Sequence, residues 1–193
     1  WGGPDAVAAV QSKTPFTKTI PLNPRYGISL IGSEAFSGKL QETVDRALTD
    51  VLAYNQKACI SSLVHYIKGT EEQANEYAGL LGQALKRYDS KIPNFTSPQA
   101  QGQVKRMKRG RYAGAKWYLN YDGEDFISGA VVISGEFDIL DHPTSRFVVV
   151  RPVAKLDDAL KYIHQSVSTV GVFPEERREQ LKDIILARGV SSV

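Results

Sequence analysis

The fold of this chain is decided by residues 146–189, "RFVVVRPVAKLDDALKYIHQSVSTVGVFPEERREQLKDIILARG". The apolar run at 146–153 does not alternate with polar residues, which is typical of a strand covered on both faces of a sheet. The sequence then predicts a helix at 156–165, a second strand at 167–173, and a second helix at 174–189 with proline first and glycine last. Strand, helix, strand, helix requires parallel crossover connections and predicts the α/β class.

The rest of the chain extends this pattern. Periodicity and turn residues predict helices at 4–10, 39–54, 70–88 and 99–109, strands at 16–22, 26–32 and 62–69, and a hairpin about the turn Asp122-Gly123. Thr70 is the expected N-cap of its helix. Because no linker separates two regions, we expect one mainly parallel open sheet with flanking helices over residues 1–193.

Composition excludes several classes of protein. The 193 residues carry a formal net charge of +3, which is too small to indicate nucleic-acid binding. One cysteine cannot form an internal disulfide, and no run approaches the roughly 18 apolar residues of a membrane span. No pair of cysteine and histidine residues has metal-ligand spacing, so no metal site is expected. We expect a reducing, cytoplasmic setting.

The single cysteine, Cys59, lies in "LAYNQKACISSLVHYIKG", residues 52–69, between a predicted helix and a predicted strand. A lone cysteine is most often a small buried apolar residue. This one falls in a short polar connection, where α/β folds commonly place chemistry, and the positive charge of Lys57 two residues away favours a thiolate. Cys59 is therefore a candidate nucleophile, with Asn55, Gln56 and Lys57 as candidate neighbours in its site.

The three histidines do not suggest a cysteine protease. His65 lies inside the strand that follows Cys59, so a structural role is expected. His142 precedes Pro143 in a loop and His164 ends a helix, so both are expected at the surface.

Three ordered segments, "WGGPDAV" (1–7), "YNQKACISS" (54–62) and "VSTVGVFPEERREQLKDIILARGV" (167–190), resemble LuxC-type acyl-CoA reductases. These are the fatty acyl thioester reductases of bacterial bioluminescence and related pathways, within the aldehyde dehydrogenase superfamily. The resemblance implies an aldehyde dehydrogenase-like catalytic domain in which Cys59 attacks an acyl thioester and NADPH then reduces the acyl enzyme to an aldehyde. It also implies an oxyanion site formed by the Cys59 backbone N–H and a side-chain amide from a cofactor domain.

The resemblance further implies how the chain is organised. Aldehyde dehydrogenase-like proteins insert the catalytic domain within the nucleotide-binding domain. We therefore expect residues 1–193 to be a single catalytic domain excised from a larger two-domain enzyme, with Gly2 and Gly3 nearest the nicotinamide. NADPH would be bound mostly by a domain absent from this chain, and the chain alone would not catalyse reduction. Oligomer formation is compatible with the family.

Two departures from the dehydrogenase pattern favour reduction over oxidation. The water-activating glutamate of the Leu-Glu-Leu-Gly-Gly-Lys segment is absent from the corresponding residues 20–27, "IPLNPRYG". A second glutamate, of a Glu-x-Phe-Gly-Pro segment, would fall near Thr144 or Ser145 and is also missing. An enzyme that keeps its acyl group until hydride arrives has reason to lack both.

The residues that would bind the acyl substrate or a partner each have more than one possible role. A fatty acyl tunnel would draw on apolar residues that are more often plain core: Tyr54, Ile60, Leu63, Phe147 and Phe173. The basic run Lys105, Arg106, Lys108, Arg109 and Arg111 is either a solvated face or a docking patch for coenzyme A phosphates, an acyl carrier protein or an acyl-donating synthetase. The alternatives to a reductase are a non-catalytic α/β interaction module and an aldehyde dehydrogenase-like domain of other specificity.

Overall fold

A computed structural model describes residues 4–14, 16, 18, 25–89, 91–92 and 96–193. The α-helices in this part of the chain are α1 (Pro4–Lys13), α2 (Leu40–Leu52), α3 (Glu71–Tyr88), α4 (Pro98–Arg109) and α5 (Glu175–Leu186). The strands are β1 (Tyr26–Ile31), β2 (Ser62–Lys68), β3 (Lys116–Asp122), β4 (Phe126–Ile133), β5 (Phe147–Val153) and β6 (Val167–Phe173). Short 3₁₀ helices occupy Ser33–Phe36, Ala53–Gln56, Ile139–Asp141 and Leu156–Tyr162.

The strands form one six-stranded sheet in the order β3-β4-β5-β2-β1-β6. Strand β3 pairs antiparallel with β4 in the hairpin expected about Asp122-Gly123, and every other pairing is parallel. The prediction of a mainly parallel open sheet is confirmed. Near the carboxyl terminus, Ser192 makes a parallel bridge to Thr169.

The sheet is covered on both faces, as the unbroken apolar run in β5 predicted. Val149 belongs to a core on the face covered by α4, α5 and the 3₁₀ helix Leu156–Tyr162. Val148 and Val150, which point the other way, belong to a second core against α2 and α3. Helix α3 begins with the predicted cap: Gln73 N–H donates to the Thr70 hydroxyl and Thr70 N–H donates to the Gln73 side chain.

One predicted element differs in the structure, and another lies mostly outside the described residues. The helix expected at 156–165 is the 3₁₀ helix Leu156–Tyr162. Three residues per turn align Leu156, Ala159 and Tyr162 on one side, and this side packs against the sheet. The strand expected at 16–22 lies in a segment of which only Phe16 and Lys18 are described.

Candidate functional site

Cys59 lies in the connection between the 3₁₀ helix Ala53–Gln56 and β2, and it is exposed. Its exposure rules out the alternative of a buried core residue. The connection enters β2 and therefore lies at the amino ends of the parallel strands. Open α/β sheets more commonly bind ligands at the carboxyl ends.

A serine hydroxyl from a neighbouring strand anchors the Cys59 backbone. Ser168, near the start of β6, is 6% exposed, and its Oγ hydrogen-bonds to the carbonyl oxygen of Cys59. The same Oγ lies 3.2 Å from the carbonyl oxygen of Tyr26, at the start of β1. The Cys59 carbonyl is therefore attached to β6, beside the start of β1. Among the described residues, none accepts a hydrogen bond from the Cys59 N–H.

Gly27 lets the loop approach β1 closely. A Cβ atom on Gly27 would lie 2.4 Å from the carbonyl oxygen of Ile60 and 2.9 Å from that of Ser61. The Gly27 N–H instead donates to the Ser61 carbonyl over 2.9 Å. Only glycine can occupy this position without displacing the two residues that follow Cys59.

The turn before Cys59 has an uncommon backbone conformation. Tyr54, Asn55 and Gln56 have φ of 52°, 52° and 60°, in the left-handed region that costs non-glycine residues about 1–2 kcal/mol each. Gln56 is buried, and its Nε2 donates to the carbonyl oxygen of Ser62 over 2.9 Å. This bond joins the turn to the first residue of β2.

Arg146 holds the same turn from the other side. Its guanidinium is fully buried and donates from Nε to Asn55 Oδ1 over 3.1 Å. Its other nitrogens donate to Asp89 Oδ1 over 3.0 Å and to the Ile92 carbonyl over 2.7 Å. Arg146 ends a second left-handed run, Thr144–Arg146. Because this buried cation donates hydrogen bonds to three separate segments of the chain, it fixes the position of the turn.

Sequence reasoning missed Arg146, Ser168 and Gly27. The only available signal was a charged residue placed directly before the apolar run at 147–150. Nothing in the sequence indicated that its partner is Asn55, because the two residues are 91 positions apart.

The candidate neighbours of Cys59 divide into two kinds. Asn55 and Gln56 turn inward and stabilise the loop through Arg146 and Ser62. Lys57 is exposed, like Cys59 itself. Gly2 and Gly3 lie outside the described residues.

The five apolar residues considered for an acyl tunnel do not lie together. Tyr54 and Ile60 flank Cys59 in the loop and are 77% and 54% exposed. Leu63 and Phe147 are buried in the core beneath α4 and α5, and Phe173 packs on the core of the opposite face. The prediction that such residues are more often plain core holds for Leu63, Phe147 and Phe173, which lie in or against the cores on the two faces of the sheet.

Burial lowers the pKa of two of the three histidines, the fully buried His65 and the half-buried His142. His65 Nδ1 lies 2.8 Å from the Tyr77 hydroxyl oxygen, and burial lowers the pKa of His65 to about 3. His142, predicted at the surface, is half-buried: its ring packs against the rings of Phe137 and Phe147, and burial lowers its pKa to about 3. The loop turns inward here because Thr144 N–H donates to His142 Nδ1. His164 is exposed, as predicted.

The basic run forms the outer face of α4 and the turn that follows it. Lys105, Arg106, Lys108 and Arg109 are exposed, whereas Val104 and Met107 on the same helix enter the core. Arg111 lies within 3.8 Å of Asp138 and 3.6 Å of Asp141. The dipole of a helix favours cations at its carboxyl terminus. This effect explains why basic residues lie at the end of α4, and no binding partner is needed to explain it.

Cys59 does not line any of the main cavities found among the described residues. Four cavities of about 530, 100, 740 and 590 Å³ occur in this part of the chain, and Cys59 lines none of these four. The same residues hold no group of three or more side chains suited to binding a metal ion, and no helix among them is long and apolar enough to cross a membrane.

Comparison with known proteins gives concordant matches. A protein-family model described as acyl-CoA reductase (LuxC) matches residues 1–193. A long-chain acyl-protein thioester reductase from Vibrio harveyi is 25% identical over 199 residues, covering 100% of this chain and 39% of its own length. The chain thus spans less than half of that relative.

Solved structures of aldehyde dehydrogenases share the fold. Aldehyde dehydrogenase 21 from Physcomitrella patens is 15% identical, with a TM-score of 0.73 over 100% of this chain and 42% of its own. A methylmalonate-semialdehyde dehydrogenase from Sinorhizobium meliloti, solved with NAD, is 14% identical, with a TM-score of 0.69 over 95% of this chain and 42% of its own.

Proposed function

The chain belongs to the acyl-CoA reductase (LuxC) family, and from this membership we propose that it is the catalytic domain of an NADPH-dependent fatty acyl thioester reductase. The aldehyde dehydrogenase-like fold and the similarity to a thioester reductase support an oxidoreductase. The single observation that carries the proposal is the exposure of Cys59 on a loop whose backbone is fixed on three sides.

The proposed step at Cys59 is acyl transfer. The Cys59 sulfur forms a bond to the carbonyl carbon of the acyl thioester, and the bond from that carbon to the sulfur of the donor breaks. The proton of the Cys59 thiol leaves with the donor, which departs as a free thiol. No oxidant or reductant is consumed, and the product is an acyl group joined to Cys59 as a new thioester.

The chain's own backbone supports this step. The Cys59 N–H, which no described residue uses, is the proposed donor to the oxyanion that forms on the acyl carbonyl. Ser168, near the start of β6, holds the Cys59 carbonyl by a hydrogen bond. The loop therefore does not have to reorganise when negative charge develops on the acyl oxygen. The second oxyanion donor is proposed to come from a side-chain amide outside this chain.

Reduction of the acyl group is proposed to need residues that this chain does not contain. Cys59 lines none of four cavities found among the described residues, which supports the proposal that NADPH is bound mostly by another domain. When bound, NADPH would supply the hydride. The chain alone is therefore expected to accept an acyl group without oxidising NADPH.

The exposed basic face of α4 is a proposed docking surface for the acyl donor. Its cations Lys105, Arg106, Lys108 and Arg109 could attract the phosphates of coenzyme A or the acidic surface of an acyl carrier or synthetase.

Intact-mass measurement after incubation with palmitoyl-CoA tests the proposal. One palmitoyl group should be added to the chain, and neutral hydroxylamine should remove it, because a thioester is labile to that reagent. The variants Cys59→Ala and Cys59→Ser should show no such adduct. If the unsubstituted chain gains no acyl group, the reductase proposal fails, and a non-catalytic interaction module becomes the better description.

A further inference from the structure

A cavity of about 530 Å³ lies on the face of the sheet covered by α4 and α5, separate from the loop of Cys59. We call it the Arg151 pocket and define it by Tyr26, Tyr66, Arg111, Arg151, Lys161 and Tyr162. Its volume lies within the range of about 300–1,000 Å³ that is usual for small-molecule sites.

Arg151 is a buried cation whose bonding is incomplete. It lies in β5, is 5% exposed, and its Nε is buried with no acceptor among the described residues. None of the described carboxylates lies within 4.0 Å of it. Arg146, five residues earlier, has an acceptor at each of its three nitrogens. A buried guanidinium N–H without an acceptor is costly, so an oxygen-bearing anion is the natural complement of Arg151 at Nε.

Two tyrosines hold the Arg151 guanidinium in place through their rings and the Tyr66 hydroxyl, and its Nε stays without an acceptor. Its Cζ lies 4.6 Å from the ring centroid of Tyr162 and 5.8 Å from that of Tyr66. These two rings are stacked, with centroids 5.3 Å apart and planes inclined by 15°. Cation–π contacts of this kind orient a guanidinium but leave its edge free for hydrogen bonding.

The charges around the pocket favour an anion at its Arg151 end. Lys161 is exposed at the pocket with its Nζ 5.0 Å from the Tyr162 ring centroid, and it adds a second cation. The lining carboxylates are Glu136, which is exposed, and Asp138, which lies 3.8 Å from Arg111. Neither is paired with Arg151 or Lys161.

We propose that the Arg151 pocket binds a phosphorylated nucleotide, with a phosphate at the Arg151 guanidinium and the Lys161 ammonium. Arginine presents N–H donors in a planar fork that matches phosphate oxygens, and tyrosine rings provide flat surfaces for a base. The ligand is either the nucleotide end of a coenzyme A thioester or a free nucleotide. This inference does not depend on acyl transfer at Cys59.

Isothermal titration calorimetry of the chain with adenosine 3′,5′-bisphosphate tests the assignment. We expect saturable binding that weakens about tenfold or more in Arg151→Gln and about threefold in Lys161→Gln. Lys161 is exposed, so its variant keeps the test decisive if Arg151→Gln does not fold. The matched control is Arg46→Gln, on α2 at the opposite face, and it should bind like the unsubstituted chain. Cys59→Ala should also bind normally, which separates this result from the proposal for Cys59.

Further titrations distinguish the two possible sources of the nucleotide, a coenzyme A thioester and a free nucleotide. Coenzyme A that binds and is displaced by the bisphosphate identifies the acyl donor as the ligand, and bisphosphate binding without coenzyme A binding identifies a free nucleotide. The proposal is overturned if the unsubstituted chain does not bind the bisphosphate, if both pocket variants bind it unchanged, or if inorganic phosphate binds equally well.

Discussion

Arg146 donates a hydrogen bond from its Nε to Oδ1 of Asn55 over 3.1 Å, and this bond links the start of β5 to the turn that precedes Cys59. The same guanidinium forms an ion pair with Asp89, just after α3, with an N···O distance of 3.0 Å. Asp89 also accepts a hydrogen bond from the Ser128 hydroxyl of β4. The loop of the candidate nucleophile is therefore stabilised by contacts made far from it in sequence.

Replacing Arg146 should be strongly destabilising. Arg146→Met leaves the largely buried carboxylate of Asp89 without its cation, and breaking such a pair lowers the free energy of unfolding by about 3–5 kcal/mol. Urea denaturation should measure this loss. Arg46→Met, which removes the exposed pair with Glu42, should cost under about 1 kcal/mol. Equal losses in the two variants would contradict the structural role of Arg146.

Gly27→Ala should displace the loop of Cys59. The new Cβ would lie 2.4 Å from the Ile60 carbonyl oxygen, which is backbone and must shift, at a cost of about 1–3 kcal/mol. Alkylation of Cys59 by iodoacetamide, followed by mass measurement, should change in rate. Gly135→Ala is the matched control, because nothing lies within 4 Å of its Cβ, and both stability and alkylation should stay as they were.

Ser168→Ala should slow acylation of Cys59 more than it lowers stability. Loss of the hydroxyl releases the Cys59 carbonyl and costs about 1 kcal/mol in the free energy of unfolding. A misplaced nucleophile commonly reacts about tenfold to a hundredfold more slowly, which a time course of the palmitoyl adduct would detect. Ser12→Ala, at an exposed serine that bonds within α1, should leave the time course unaltered. Identical time courses for Ser168→Ala and the unsubstituted chain would show that this anchor does not position the thiol.

Stability should fall as the solution is acidified below about pH 6.5. Burial lowers the pKa of His65 and His142 to about 3 in the folded chain, whereas histidine in the unfolded chain has a pKa of about 6.5. Between these values the unfolded state binds more protons, so each histidine removes up to about 1.4 kcal/mol per pH unit. The contribution of these two neutral histidines to the free energy of unfolding is fully present above pH 6.5 and is lost as the pH falls toward 3.

Variants at two histidines isolate this effect. The free energy of unfolding of His142→Phe, measured by urea denaturation from pH 7 to pH 4, should depend less steeply on pH than that of the unsubstituted chain. His164 is exposed, so His164→Gln should retain the original slope. A slope unaffected by His142→Phe would mean that the pKa of His142 is the same in the folded and the unfolded chain.

Elements with a strong local signal were predictable. The apolar run of β5, the amphipathic period of α2 and the capping residue Thr70 each specify their own structure within a few neighbouring residues. The 3₁₀ helix Leu156–Tyr162 was expected as an α-helix because three- and four-residue spacings are hard to tell apart over seven residues. The partial burial of His142 was missed because a residue before proline in a loop gives no sign of which side it faces.

The sequence by itself determined the α/β class, the mainly parallel sheet and the position of Cys59 between a helix and a strand, because hydrophobic periodicity and turn chemistry act over short stretches of chain. Only the tertiary structure decided that Cys59 is exposed, that Arg146 reaches Asn55, that Ser168 reaches the Cys59 carbonyl and that Arg151 lines a cavity with Tyr66 and Tyr162. These contacts join residues that are far apart in the chain. They arise from the order of the strands in the sheet, which brings β1, β2, β5 and β6 side by side and which no local pattern encodes.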